Sequence, residues 1–239
     1  MDAHDFPSKT MGTRYLLSHR SAEIAEHIRL LLSRGEKTLV MKVEHEPKGE
    51  YSQLTISTLD IPGLFSKITG VMAANGINIL GAQIFTQSNG IALDTLQVRS
   101  PSGELITDTE KWRRVEEDLV AVIEGRARVD DLVQKRYRPS LLLTGRPMPR
   151  SPNRVEIDNE VSDEYTVIDI YAHDKVGLLY QITRTLKDLG LYIGVSKIST
   201  KVDQAADTFY VQDIFSHKIT QEEKLEEIRS RLLECLEAE

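Results

Sequence analysis

The chain has 239 residues, with 30 basic and 37 acidic side chains and a formal net charge of −7. This length predicts one large or two small domains, and the acidic balance argues against a nucleic-acid binder, which usually carries a basic stripe. No apolar stretch approaches the roughly 18 residues of a membrane-spanning helix, and the acidic start has no apolar signal segment. We therefore expect a cytoplasmic protein that contacts neither nucleic acid nor membrane.

Sequence signatures of catalytic and metal sites are missing. The chain has one cysteine, Cys235, which excludes an internal disulfide or a thiolate metal cluster. No dinucleotide or phosphate-binding glycine loop, G-x-S-x-G elbow or H-E-x-x-H motif occurs. The pairs His4-Asp5 and His173-Asp174 are of a kind found in metal phosphohydrolases, but without further ligands they are better interpreted as surface histidines. We expect no catalytic residue, metal or cofactor in this chain.

The chain contains an internal repeat at an offset of 114 residues. The motif Asp-x-x-Gly-Leu occurs at 60–64 in the first repeat, which starts near Tyr51, and at 174–178 in the second, which starts near Tyr165. Ordered matches continue as far as Val98 and Val211, with a one-residue deletion in the second repeat. Such an ordered series of matches predicts two copies of one domain.

Each repeat is predicted to run strand, helix, strand, strand, helix. In the first repeat, alternation of apolar residues predicts strand 53–58 and, around an Asn-Gly turn, strands 77–86 and 91–98. Helical spacing predicts a first helix that starts with Asp60 and Pro62 and ends at Asn75-Gly76, and a second helix at 108–124. In the second they predict strand 166–171, a helix that ends at Gly190, two strands, and a helix from Gln221.

The second repeat ends on a helix, so a βαββαβ fold would lack its last strand. Residues 154–157 precede the second repeat, align at the same offset with 40–43, and could fill the vacant position in each sheet. We therefore predict an α+β chain of two ferredoxin-like βαββαβ domains with antiparallel sheets, preceded by a short helical segment. The predicted boundaries are 1–37 for the helical segment, 38–138 for the first domain, 139–153 for a Pro/Arg-rich linker and 154–239 for the second domain.

The Asp-x-x-Gly-Leu turn suits an amino-acid ligand. A helix N-terminus presents unpaired N–H groups to a carboxylate, and Gly63 and Gly177 would let a ligand approach the backbone closely. Asp60 and Asp174 could accept hydrogen bonds from an α-ammonium group. The alternative is that each aspartate merely caps its helix.

Two further aspartates stand at unusual positions in predicted strands. Alternation places Asp94 on the same face as Leu96 and Val98, and it places Asp207 on the same face as Phe209. A carboxylate on an apolar face requires either a strand end or a polar neighbour. We expect Asp94 and Asp207 to have structural roles of this kind.

Repeats of this element order with this turn resemble ACT domains, the amino-acid-sensing modules of metabolic enzymes. The resemblance implies that ACT domains pair within or between chains. It implies ligand-binding residues as follows: Asp60, Pro62, Gly63, Leu64, Asn78 and Ile79 in the first repeat, and Asp174, Gly177 and Leu178 in the second. The second repeat has Val176 in place of the proline and Tyr192 in place of the asparagine, which favours the first repeat as the binding one.

The resemblance is closer to one enzyme family. Residues 60–65, 76–79, 155–159, 174–180 and 207–211 are similar to the tandem ACT region of bifunctional uridylyltransferase/uridylyl-removing enzymes. That family modifies the PII nitrogen-signalling protein and senses glutamine, so the resemblance implies glutamine as ligand and PII as a partner. It also implies that the helical segment corresponds to the exit of a phosphohydrolase domain.

The sequence leaves the question of enzymatic activity open. The Gly-Ser motif of a nucleotidyltransferase domain does not occur, so magnesium is expected only for catalytic domains that this chain lacks. The favoured hypothesis is a regulatory amino-acid-binding module that controls nitrogen signalling. The alternative is a stand-alone tandem that acts through protein–protein contacts, for example by pairing of sheet edges.

Overall fold

A computed structural model describes residues 15–16, 19–136, 152–201 and 204–237. Most of the predicted linker and the first 14 residues lie outside these ranges. In chain order the elements are α1 Ser21–Arg34, β1 Leu39–Glu46, β2 Tyr51–Leu59, α2 Leu64–Ala74, β3 Asn78–Thr86, β4 Ile91–Arg99, α3 Thr109–Ile123, α4 Val129–Arg136, β5 Arg154–Asp158, β6 Thr166–His173, α5 Leu178–Asp188, β7 Tyr192–Lys197, β8 Thr200–Lys201, β9 Gln204–Gln212 and α6 Glu222–Glu237.

The strands form one antiparallel sheet that runs through both repeats. Its order is β1-β2-β4-β3-β7-β9-β6-β5, and β8 extends the pairing with β9. The repeats join where Gln83 of β3 pairs with Lys197 of β7. The predicted extra strands are confirmed, because β1 pairs with β2 and β5 pairs with β6, each at the outer end of its repeat. The strand ahead of each repeat thus completes a four-stranded ferredoxin-like sheet.

The hydrophobic core lies on one face of this sheet. Helices α2, α3, α5 and α6 bury their apolar side chains there, with Ile68 and Ile182 fully buried at equivalent positions in the two repeats. Helix α1 packs on the opposite face, where Leu31 meets Leu93 of β4. Leu93 and its neighbours in β4 point to opposite faces because side chains alternate along a strand.

An approximate two-fold axis relates the repeats and passes between α2 and α5. Thr69 and Thr183 are equivalent at the offset of 114, and their Oγ1 atoms lie 2.9 Å apart. Close packing surrounds this contact: a Cβ placed on Gly70 would lie 2.4 Å from Val129 of α4 and 2.7 Å from Tyr180 of α5. Equivalent residues touch one another in this way only where the symmetry axis passes.

The start of α2 differs from the prediction. The helix begins at Leu64, after Gly63, which has a left-handed φ of 71°. Pro62 is exposed and precedes the helix, so it does not occupy the first turn as predicted. The same break occurs before α5, where Gly177 has a φ of 85°. A left-handed residue cannot continue a right-handed helix, and glycine adopts this conformation without a Cβ clash.

Helix α4 was not predicted from the sequence. Its eight residues are too few to show a helical pattern, and Val129 and Leu132 are only partly buried against the core. None of the described helices is long and apolar enough to cross a membrane.

Candidate ligand site between the two repeats

The turn at residues 60–63, named here the Asp60 turn, is held against the second repeat. The Asp60 N–H donates to Gly90 O at 2.9 Å, and the Leu64 N–H donates to Ile61 O at 2.9 Å. Lys187 of α5 lies directly over the turn, because a Cβ placed on Gly63 would be only 2.8 Å from Lys187 Cδ. The Lys187 ammonium is half exposed and lies 3.6 Å from an Asp188 oxygen.

The Asp60 side chain binds across the junction of the repeats. Its Oδ2 accepts a hydrogen bond from Thr86 Oγ1 at 2.9 Å and another from the Tyr192 hydroxyl of β7. Burial and the bond to Asp60 raise the pKa of Tyr192 to about 12. Neither α2 nor α5 has a side-chain cap hydrogen bond among the described residues. The N-cap residues are Gly63 and Gly177, so Asp60, which bonds to Thr86 and Tyr192, does more than cap its helix.

The second turn, at residues 174–177, has a corresponding arrangement and is named the Asp174 turn. Asp174 Oδ2 accepts from Asn78 Nδ2 of β3 at 3.0 Å. Burial raises the pKa of Asp174, while the bond from Asn78 opposes that rise. Asn78 and Tyr192 are equivalent in the repeat, so each turn meets the second strand of the other repeat. Asn78, predicted as a ligand residue of the first repeat, thus lies at the turn of the second repeat, because β3 lies at the join of the sheet.

Two small cavities lie beneath these turns. The Asp60 cavity has a volume of about 40 Å³. Its lining includes three residues predicted to bind ligand, Asp60, Gly63 and Leu64, and three further polar residues, Asp94, Lys187 and Tyr192. The Asp174 cavity, about 20 Å³, is lined by five of the predicted residues and Asp207: Asn78, Ile79, Asp174, Gly177, Leu178 and Asp207. Pro62 lies outside the lining of both. A larger open groove of about 540 Å³ lies beside Lys111, Arg114 and Arg136, and neither turn aspartate lines it.

The two strand aspartates have different environments. Asp207 is 3% exposed and accepts from the Ser199 N–H at 3.2 Å, which confirms the expected polar neighbour. Burial raises its pKa to about 7. Asp94 is 1% exposed and lies in the middle of β4, and neither of its oxygens has a hydrogen-bond partner among the described residues. Asp94 is therefore not at a strand end, and its polar neighbours, Asp60 and the Phe85 amide, give it no hydrogen bond.

Burial, followed by repulsion from Asp60, raises the pKa of Asp94 to about 8. The nearby Phe85 amide opposes the shift in part but does not have the geometry of a hydrogen bond to the carboxyl group. The repeat in the sequence identifies Asp94 and Asp207 as equivalent residues. The roles of Lys187 and Tyr192 are not visible in the sequence, since only the docking of the two repeats brings them to the Asp60 turn.

The Asp60 cavity offers complementary charges for a small zwitterion. The N-terminus of α2 and Lys187 attract a carboxylate, and the Asp60 carboxylate can accept from an ammonium group. Within the described ranges, His, Cys, Asp and Glu side chains form no group of three or more that could hold a metal ion.

Comparison with known families identifies the repeats. An ACT domain model matches residues 52–111, and a model described as an ACR9-like, ACT-like domain matches residues 154–238. The chain is a tandem of two ACT domains. The Asp60 turn belongs to the first ACT domain, and Lys187 and Tyr192 belong to the second.

The tandem is similar over most of its length to bifunctional uridylyltransferase/uridylyl-removing enzymes. The enzyme from Rhodospirillum rubrum is 37% identical over 220 residues, which are 91% of this chain and 23% of the enzyme. The enzyme from Azospirillum brasilense is 36% identical over 225 residues, with shares of 93% and 24%. The enzyme from Zymomonas mobilis is 33% identical over 232 residues, with shares of 96% and 25%. The chain thus spans about a quarter of the length of these relatives.

Among solved structures, the aspartate kinase from Synechocystis has a TM-score of 0.40 and 14% identity to this chain. The matched region covers 77% of this chain and 26% of the kinase.

Proposed function

We propose that this tandem is a regulatory module that binds glutamine between its ACT domains and reports it to uridylyltransferase and uridylyl-removing domains. The observation that supports this proposal is the Asp60 cavity, where a turn of the first domain meets Lys187 and Tyr192 of the second. We name these two catalytic domains because the chain is similar to bifunctional uridylyltransferase/uridylyl-removing enzymes. In this role the module would act in the cytoplasm and control nitrogen signalling through PII.

The position of the cavity explains how binding could be transmitted. A ligand can shift a conformational equilibrium only by its difference in affinity between two states. A glutamine that contacts Asp60 from one side and Lys187 from the other would bind best when the two domains are docked. Bound glutamine would therefore stabilise the docked arrangement, and attached catalytic domains could respond to it.

The ligand would be oriented by its own charges. Its α-carboxylate would lie at the N-terminus of α2, near Lys187, and its α-ammonium would donate to Asp60. The Asp60 Oδ2 already accepts from Thr86 and Tyr192, which hold the carboxylate in one orientation. Such preorganisation lowers the entropy that binding would otherwise cost.

Calorimetry tests the proposal with glutamine as ligand and with glutamate and serine as comparisons. We expect glutamine to bind the chain, and Gly63→Val to reduce its affinity at least about 10-fold, which is 1.4 kcal/mol. Valine at this position would push against Lys187 and would strain a left-handed backbone. Gly103→Val is the matched control, because Gly103 has a φ of 89° with nothing within 4 Å of an added Cβ.

The control variant should carry a similar backbone strain and bind glutamine like the unmodified chain. No binding of any amino acid at millimolar concentration would contradict the sensing function and favour a tandem that acts through protein–protein contacts. Equal losses in the two variants would place the ligand outside the Asp60 cavity.

A further inference from the structure

The Asp60 cavity contains one polar group with an unsatisfied hydrogen-bonding capacity. Asp94 is 1% exposed and lines the cavity, and neither of its oxygens has a partner among the described residues. A buried carboxyl group without a partner costs folding free energy, and most buried polar groups are therefore hydrogen-bonded. A ligand donor would supply the missing bond.

The second domain shows that this position can be satisfied from within the protein. There β7 ends at Lys197, so the Ser199 N–H is free of the sheet and donates to Asp207. In the first domain β3 continues to Thr86, and Phe85, the equivalent of Ser199, stays paired opposite Leu93 of β4. The longer strand keeps the corresponding amide in the sheet and leaves Asp94 open to a ligand.

The placement of charges indicates which part of a ligand reaches Asp94. The two charged groups of an α-amino acid are on one carbon and fit the exposed side of the cavity, near Asp60 and Lys187. Asp94 is almost completely buried and lines the cavity together with Ala92 and Ile84, and the whole cavity, at about 40 Å³, has room for one small polar group. The group that reaches Asp94 is therefore the end of the side chain.

We propose that Asp94 is the specificity-determining residue of the Asp60 cavity and accepts a hydrogen bond from the primary carboxamide of the ligand side chain. This inference rests on the proposed amino-acid binding at the same cavity. A carboxamide N–H is a donor and carries no charge. A side-chain carboxylate in its place would be a buried anion beside Asp60, and above the pKa of Asp94 it would face a second anion, so the cavity would favour glutamine over glutamate.

Asp94→Asn in the full chain tests this assignment, by calorimetry with glutamine and glutamate at pH 8.5, which is above the pKa of about 8 that burial gives Asp94. Asparagine has the same shape but presents a donor as well as an acceptor. We expect glutamine affinity to fall about 10- to 100-fold, the range for a hydrogen bond to a charged group. Glutamate affinity should stay level or rise, so the preference for glutamine should shrink.

Asp207→Asn is the matched control, since Asp207 is an equally buried carboxyl group at the equivalent position and already accepts from Ser199. It should change glutamine affinity less than about 2-fold, and melting of each variant would show that it is folded. The assignment is overturned if Asp94→Asn binds glutamine as tightly as the unmodified chain, or if glutamine and glutamate lose affinity by the same factor. An unmodified chain that binds no amino acid would instead remove the proposed function together with this inference.

Discussion

Asp94 connects the stability of the first ACT domain to its candidate function. Its carboxyl group is enclosed by β4 and its neighbours, with Ile56 opposite on β2 and Ile84 opposite on β3. Burial raises its pKa to about 8, from an ordinary value of 3.8. The folded chain therefore keeps a proton that the unfolded chain releases between these two pH values.

This difference predicts the direction of a pH effect. Because the native state binds more protons than the unfolded state from about pH 4 to pH 8, Asp94 makes the protein less stable as pH rises through that window. Asp94→Asn removes the titration. At each pH, the unfolding free energy of the variant is compared with that of the unmodified chain. We expect this difference to favour the variant by about 2 to 4 kcal/mol more at pH 8 than at pH 5.

Urea unfolding of both proteins at the two pH values measures this difference. Comparing the variant with the unmodified chain at each pH cancels the titration of all groups that do not interact with Asp94. A gain that is the same at pH 5 and pH 8 would show that Asp94 is ionised throughout and is not enclosed as described.

At the residue scale the sequence identified the turn residues better than their partners. The repeat located Asp60, Asp174 and both glycines, because a motif that occurs twice is visible without coordinates. Alternation placed Asp94 on the apolar face correctly, but its lack of a partner depends on how far β3 extends. Lys187 could not have been found, since its contact with Gly63 crosses from one domain to the other.

At the scale of elements, the strands β1 and β5 complete the two ACT sheets. Val155 of β5 is 7% exposed, belongs to the core and lies opposite Ile170 of β6. Its neighbour Glu156 points to the other face, opposite Asp169, with a side chain that is 52% exposed. Adjacent residues of one strand thus provide a buried position and an exposed control.

We predict that Val155→Ala lowers the unfolding free energy by about 2 kcal/mol, since it removes buried methyl groups and leaves a cavity. Glu156→Ala should change it by less than about 0.5 kcal/mol, because it removes a surface ion pair and also relieves a like-charge pair across the strands. Denaturant unfolding of the two variants compares them directly. Equal effects would mean that β5 is not packed against the core of the second domain.

The prediction of elements succeeded where patterns are local. The strand pairs and the main helices follow from period-2 and helical spacing, and the missing fourth strand followed from counting elements. The start of α2 was misplaced because proline at a first turn is common, whereas here the left-handed Gly63 delays the helix to Leu64. Backbone conformation at a glycine is not specified by the residue itself, which allows several.

At the scale of the whole molecule, the two ACT domains form one sheet about an approximate two-fold axis. The contact of Thr69 with Thr183 and the pairing of β3 with β7 fix this arrangement. The sequence implied that ACT domains pair, but it did not reveal which edges meet. The pairing of the β3 and β7 edges depends on how the helices pack, and there Gly70 lets α2 approach α4 and α5 closely.

A ligand that contacts both domains should protect both from hydrogen–deuterium exchange, which can be measured on the full chain with and without glutamine. At a free glutamine concentration of 100 times the dissociation constant, binding should stabilise the closed site by about 2.7 kcal/mol. Amides that exchange only when the site opens should then slow by up to about 100-fold, in residues 60–66 of the first domain and 187–193 of the second. We expect protection in both segments at once. Protection confined to one of the two domains, or protection of neither, would contradict it.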